Sequence, residues 1–224
     1  MSKINDEKVD VIIDKKGLIS ADSLPAKPDN PRFAKEQYIA IFKAEIKRPG
    51  ADAMLDYLEN KSDFFDAPAS TRFHLAEKGG LVMHSLNVYH RLKMLVANEK
   101  AIIKNNISQE SIAICALLHD ICKANYYTVS HRNVKQIDGS WTKEPYYTVD
   151  EKFPFGHGEK SVFMISQFIK LSGDEALAIN WHMGAYDERL ARSFTKLGQA
   201  FEKCPLAVLT HIADMQATYL DEIE

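Results

Sequence analysis

Seven consecutive apolar residues, Ile112-Ala113-Ile114-Cys115-Ala116-Leu117-Leu118, run directly into His119-Asp120. Ser108 stands where an N-cap is wanted, so the run reads as the body of a helix spanning Gln109 to Lys123. A helix that is apolar on every side belongs at the centre of a core, with other elements around it. This one also carries an imidazole and a carboxylate into that core. Burying such a pair is costly unless something satisfies it. The chain is thereby limited to folds that build a polar or metal-bearing cluster inside a helical core.

Its 224 residues suit one domain with additions, and 46% hydrophobic with 26% charged residues is ordinary for a globular chain with a real core. Acidic side chains outnumber basic ones by 31 to 28. That balance leaves no electrostatic footprint for coating long nucleic acid or an anionic membrane. A local pocket for a phosphorylated substrate needs only a few cations and stays compatible with it. No apolar run approaches the roughly 20 residues needed to span a bilayer, and the first residues, Met1 to Lys8, are polar and of mixed charge. Cys115, Cys122 and Cys204 form neither an even set nor a C-x-x-C pair. Cys115 and Cys122 read as small core residues, and the expected compartment is reducing cytoplasm.

Along the chain, residues 1–32 read as an N-terminal extension ahead of a helical domain over 33–224. Val9 to Ile13 suggests a short strand, and prolines at 25, 28 and 31 exclude a helix there. Helices are predicted from Phe33 to about Lys47, with Phe33, Tyr38, Ile41, Phe42 and Ile46 mainly on one side, and from Ala51 to Glu59. A long helix opens at Gly79-Gly80 and runs to about Asn98. Residues 125–150 change character: many aromatic and β-branched residues flank Asp138-Gly139, the signature of a β-hairpin. Its alternating aromatics suggest a packed face, with base stacking or a lid as the functional alternative. Helical text resumes near His157. Ser172-Gly173-Asp174-Glu175 is a capping box for the helix reaching His182, and Pro205 fits the first position of a final helix bearing Asp214.

The residues that carry chemistry are His84, His119, Asp120, His157, His182 and Asp214, spread over these helices. Imidazole and carboxylate together suit Mn, Fe, Co, Ni or Zn, and carboxylate with water suits Mg. Four such ligands serve one divalent ion and six serve two, with Asp120 the natural bridge because its two oxygens can be shared. Lys123 lies about one turn beyond Asp120, where it can face a phosphoryl group or simply complement the helix C-terminus. Arg72 and His74 precede the first candidate ligand and are candidates to grip phosphate. Glu159 is a candidate to position water or a ligand histidine. His90, His131 and His211 have no place in the series, although His211 stands three residues before Asp214.

Leu117-Leu118-His119-Asp120-Ile121-Cys122-Lys123 closely resembles the HD signature of the HD-domain superfamily of metal-dependent phosphohydrolases. Gly79 to Leu86, with His84, resembles the stretch that supplies that family's first histidine. Gly156 to Ser161 and Asn180 to Gly184 resemble the stretches carrying the two later histidines of two-metal members. Ala213 to Ala217 resembles the segment with the closing aspartate. The resemblance covers about residues 65 to 220 and implies a mostly α HD-type helical bundle. It also implies His84, His119, Asp120 and Asp214 around one metal, and His157 and His182 on a second bridged by Asp120. Cys122 departs from the signature, which usually has glycine before the lysine.

The implied activity is metal-assisted hydrolysis of a phosphoester or phosphoanhydride in a small nucleotide-like substrate, with Asp120 and Lys123 central and one or two divalent ions bound. The same ligands would serve an HD-type di-iron oxygenase or a 3′-5′ exonuclease on short nucleic acid. A binding module with a structural metal is the non-enzymatic alternative.

Overall fold

The computed structural model describes residues 31–189 and 195–223. The suggested strand at Val9 to Ile13, like most of the extension 1–32, lies outside them. The fold is mostly helical, and one antiparallel hairpin is the only sheet among the described residues.

The first two helices are α1 (Pro31–Glu45) and α2 (Ala51–Asn60). α1 buries Ala34, Tyr38 and Phe42, an i, i+4 stripe. Phe33, expected on that side, is instead 64% exposed, because one residue turns the helix by about 100°. The α1–α2 connection is held by Arg48, whose guanidinium pairs with Glu175 at 2.8 and 2.9 Å and with Glu110 at 3.2 Å. Glu175 is buried and also accepts from Ser111 Oγ and from the backbone N–H of Ser172. One carboxylate therefore completes a capping box and ties the α1–α2 connection to two helices further along the chain.

α3 (Gly80–Ala97) packs against α1, α5 and α9. After the short α4 (Ala101–Lys104), α5 (Gln109–Leu118) runs through the centre, with every residue from Ile112 to Leu118 fully buried. Each large side chain there contributes about 1.5–3 kcal/mol relative to exposure. α5 ends at Leu118, five residues before the predicted Lys123. The chain then tightens into a 3₁₀ turn over Ile121–Lys123, closed by Lys123 N–H to Asp120 O and Ala124 N–H to Ile121 O, both 2.9 Å. The carbonyls that this break leaves without helical partners are taken up by side chains: Tyr38 Oη donates to Leu117 O at 2.9 Å, and His119 Nδ1 donates to Ala116 O at 2.8 Å.

β1 (Tyr127–Lys135) and β2 (Trp141–Val149) pair antiparallel from Tyr127↔Val149 to Lys135↔Trp141, turning through Asp138-Gly139. The expected packed face is not realised. Val129, Trp141 and Val149 are half to two-thirds exposed, because two nine-residue strands reach past the helical body. The hairpin base is anchored by the half-buried Tyr127, whose hydroxyl contacts Ala69 O at 3.4 Å.

α6 (His157–Ser166) and α7 (Gly173–Trp181) then pack closely. Gly158 permits this, since a Cβ there would lie 2.2 Å from Asn180 O. α8 (Thr195–Lys203) leads to α9 (Pro205–Gln216), with Pro205 at its first position as predicted. The chain beyond α9 folds back beside α3 through Arg91, which forks onto Asp221 at 2.5 and 2.7 Å.

Candidate metal centre

His119 and His182 reach the same geometry by the same local rule. Each caps the C-terminus of a central helix and donates its Nδ1–H to the carbonyl three residues back, His119 to Ala116 O and His182 to Ile179 O at 2.7 Å. That bond fixes the tautomer and leaves Nε2 a bare lone pair directed away from the helix. His84, from the first half of α3, does the same with a carboxylate: its Nδ1 sits 3.0 and 3.2 Å from the two oxygens of Glu222. Three Nε2 atoms are thus turned inward. His84 Nε2 and His119 Nε2 stand 3.2 Å apart, and His84 Nε2 is 3.2 Å from Asp214 Oδ1.

Asp120 lies between two groups of imidazoles. Its Oδ2 faces His84 Nε2 at 3.6 Å, His119 Nε2 at 3.5 Å and Lys123 Nζ at 2.7 Å. Its Oδ1 faces His157 Nε2 at 2.6 Å and His182 Nε2 at 3.2 Å. His182 Nε2 finds no hydrogen-bond partner among the described residues although it is fully buried. A bare nitrogen lone pair directed at a carboxylate oxygen is repulsive, and a cation between them is what that arrangement accommodates. The C-terminal ends of α5 and α7 add partial negative charge at the same place.

The ionisation of the cluster follows. Burial raises the Asp120 carboxyl, but Lys123, His119 and His157 outweigh this and hold it well below the usual carboxylate range. Burial lowers His84, yet Glu222 and Asp214 push it up to about 10. His119, buried beside other imidazoles, falls to about 4 despite Asp120. Asp214 and Glu222 are both lowered in spite of their burial, chiefly by His84. The centre therefore holds ionised carboxylates around a place where positive charge is favoured. Donor atoms of His84, His119 and Asp214 lie within 4.8 Å of one another, as do those of His119, Asp120 and His182, and those of Asp120, Cys122 and His157. This is a fitting donor set for one or two transition-metal ions.

The remaining sequence candidates divide. Lys123 joins the cluster through Asp120. His74 adjoins it, its ring 4.8 Å from that of His84 and its Nδ1 2.5 Å from Glu222 Oε2. Arg72 stands outside, exposed on the 71–76 loop and stacked on Phe73 at 5.1 Å. Glu159 is drawn away by Arg189, which pairs with it at 2.7 Å. Sequence reading missed Glu222, whose side chain is 1% exposed and also accepts from Asn87 Nδ2 at 2.9 Å. A glutamate in Asp221-Glu222-Ile223-Glu224 carries no local signal of burial. His211 gains a role as well, donating from Nδ1 to His182 O at 2.7 Å.

A cavity of about 460 Å³ borders the centre at His157, with Cys122, Tyr126, Lys160, Tyr186 and Arg189 on its walls. A wider groove of about 1050 Å³ runs between the 71–76 loop and the hairpin, past Arg72, Phe73, Arg132 and Tyr146.

The family described as HD domain matches residues 81–216, and the chain belongs to it. The matched stretch contains all six candidate ligands and leaves Glu222 outside. Proteins of this family are in general metal-dependent hydrolases, and the buried His/Asp cluster is compatible with that chemistry. Comparison with curated proteins and with solved structures gave no match. Among the described residues, no helix is long and apolar enough to cross a membrane.

Proposed function

We propose that the chain is a metal-dependent phosphohydrolase that cleaves a phosphoester or phosphoanhydride bond of a small nucleotide-like substrate, in a reducing, cytoplasmic setting. The observation that carries the reading is Asp120, with one oxygen toward His84 and His119 and the other toward His157 and His182. If two cations were bound, Asp120 would be shared between them, His84, His119 and Asp214 would hold one, and His157 and His182 would hold the other. When bound, such cations lower the pKa of water and neutralise phosphoryl charge.

The chain's own residues supply the rest. Lys123 keeps its proton, because the adjacent Asp120 outweighs its burial. It offers N–H donors to a phosphoryl oxygen at the edge of the cluster. Glu222 and the carbonyls of Ala116 and Ile179 hold three imidazoles so that only Nε2 faces the reacting centre. The cavity beside His157 favours a substrate of nucleotide size. Arg72 and the hairpin groove lie farther out, where a base or a second phosphate would be gripped. The acidic balance of the chain favours small substrates over long nucleic acid.

The test is a panel of nucleoside mono-, di- and triphosphates, cyclic nucleotides and short oligonucleotides, each with Mn, Co, Ni or Mg. Phosphate or nucleotide release that disappears on chelation is expected. No turnover of any of them, together with dioxygen consumption by iron-loaded protein, would replace this reading with an oxygenase.

A further inference from the structure

Cys122 behaves unlike the other two cysteines. Cys115 Sγ and Cys204 Sγ point at backbone carbonyls, Glu175 O at 4.0 Å and Asp174 O at 3.5 Å, as buried thiols with a weak S–H donor usually do. Cys122 follows Asp120 in the 3₁₀ turn, its backbone N–H held by Ser161 Oγ at 3.3 Å, and its sulfur faces His157, 3.4 Å from Nδ1 and 3.5 Å from Nε2. It is 3% exposed, yet it borders the cavity that opens on His157.

Sulfur and nitrogen bound to one tetrahedral zinc, at about 2.3 and 2.0–2.1 Å from the metal, are about 3.6 Å apart. The distance from Cys122 Sγ to His157 Nε2 is 3.5 Å, and both stand within 4.8 Å of a donor oxygen of Asp120. The neighbouring His182 Nε2, buried and without a hydrogen bond, lies on the same oxygen of Asp120 as His157 does. One carboxylate oxygen, one imidazole nitrogen and one sulfur thus lie around one position, with His182 Nε2 3.2 Å from Asp120 Oδ1 beside them.

We propose that Cys122 is a ligand of the cation on the His157 side of Asp120, sharing it with His157 and Asp120. The thiol proton and the proton between His157 and Asp120 leave to solvent, and the sulfur donates a lone pair to the cation. A thiolate makes this position prefer zinc, iron(II) or cobalt(II) over magnesium and manganese. The inference rests on the metal centre proposed above and deepens it by assigning the class of ion.

The test is spectroscopic and needs no substrate. Reduced full-length protein is titrated with cobalt(II). Visible d–d bands report any bound cobalt, and an intense near-ultraviolet sulfur-to-cobalt charge-transfer band reports the thiolate. The band is expected in wild type and in Cys115→Ala and Cys204→Ala, and is expected to vanish in Cys122→Ser while d–d bands persist. The preference for zinc over manganese, measured by competition, should fall roughly tenfold or more in Cys122→Ser. X-ray absorption on zinc-loaded wild type, which involves no variant, should show a sulfur scatterer at about 2.3 Å. Bound cobalt without the charge-transfer band, or the same band in Cys122→Ser, overturns the assignment and leaves the metal centre intact. Absence of d–d bands overturns both.

Discussion

Asp120 Oδ2 and Lys123 Nζ meet at 2.7 Å across a single 3₁₀ turn. In an α-helix residues three apart are offset around the axis, whereas in a 3₁₀ turn they eclipse. Ending α5 at Leu118 is therefore what stacks the lysine directly on the carboxylate that lies between the two groups of histidines. The pair places a fixed positive charge at the rim of the cluster without adding a ligand to it. Lys123→Met is accordingly expected to keep its metal and fold while losing phosphate release by roughly a hundredfold or more, the scale of one lost transition-state donor. Steady-state kinetics alongside metal counting checks this. Unimpaired turnover would remove the lysine from the chemistry.

Glu222 acts on the centre through His84. Replacing a carboxylate that orients a ligand histidine typically weakens metal binding by roughly 10–100-fold. Glu222→Ala should show that loss in a chelator competition. Glu222→Gln, which can still accept from the His84 ring, should lose less. Equal wild-type affinity in both variants would reduce Glu222 to a packing role.

Gly158 sets the spacing that brings His157 and His182 to one oxygen of Asp120. A methyl group there meets Asn180 O at 2.2 Å, so α6 and α7 must separate. Gly158→Ala should lower stability by about 1–3 kcal/mol in urea unfolding, the usual cost of overpacking. It should also reduce metal occupancy more than its effect on folding explains.

The Arg48–Glu175 pair governs acid stability. Burial raises the Glu175 carboxyl, but Arg48, Ser172 and Ser111 outweigh it and the net value is lowered. A carboxyl depressed in the folded state contributes stability that is complete above its unfolded value of about 4.3 and disappears as pH falls through the folded value. Glu175→Gln should therefore cost about 1.5–3 kcal/mol near pH 7, and the difference from wild type should shrink toward pH 3. A difference that grows with acid would contradict the sign.

The six candidate ligands were legible in the sequence because imidazoles and carboxylates interrupt apolar helical text, and because the caps at Ser108, Ser172 and Pro205 mark where helices begin. The end of α5 was not legible. Ile121-Cys122-Lys123 has no helix-breaking residue, and the break is stabilised by Tyr38, 79 residues before Leu117. Glu222 and Arg48 were missed for a related reason. Their partners His84 and Glu175 lie more than a hundred residues away, and each sits in polar text that looks solvated. The hairpin itself was found by its turn signal, but its aromatics misled about packing, since alternation fixes which residues share a face and not whether anything covers that face.

The central claim is that the inward Nε2 atoms and carboxylates of this cluster hold metal, with Asp120 common to both sides. Elemental analysis of purified wild type beside Asp120→Ala, each as isolated and after anaerobic reconstitution with Mn, Fe, Co or Zn, tests it most directly. Wild type should carry one to two equivalents and Asp120→Ala should lose most of it while circular dichroism still reports a helical fold. Wild type that retains no metal under any of these conditions, or an Asp120→Ala variant that is fully loaded, would contradict the account.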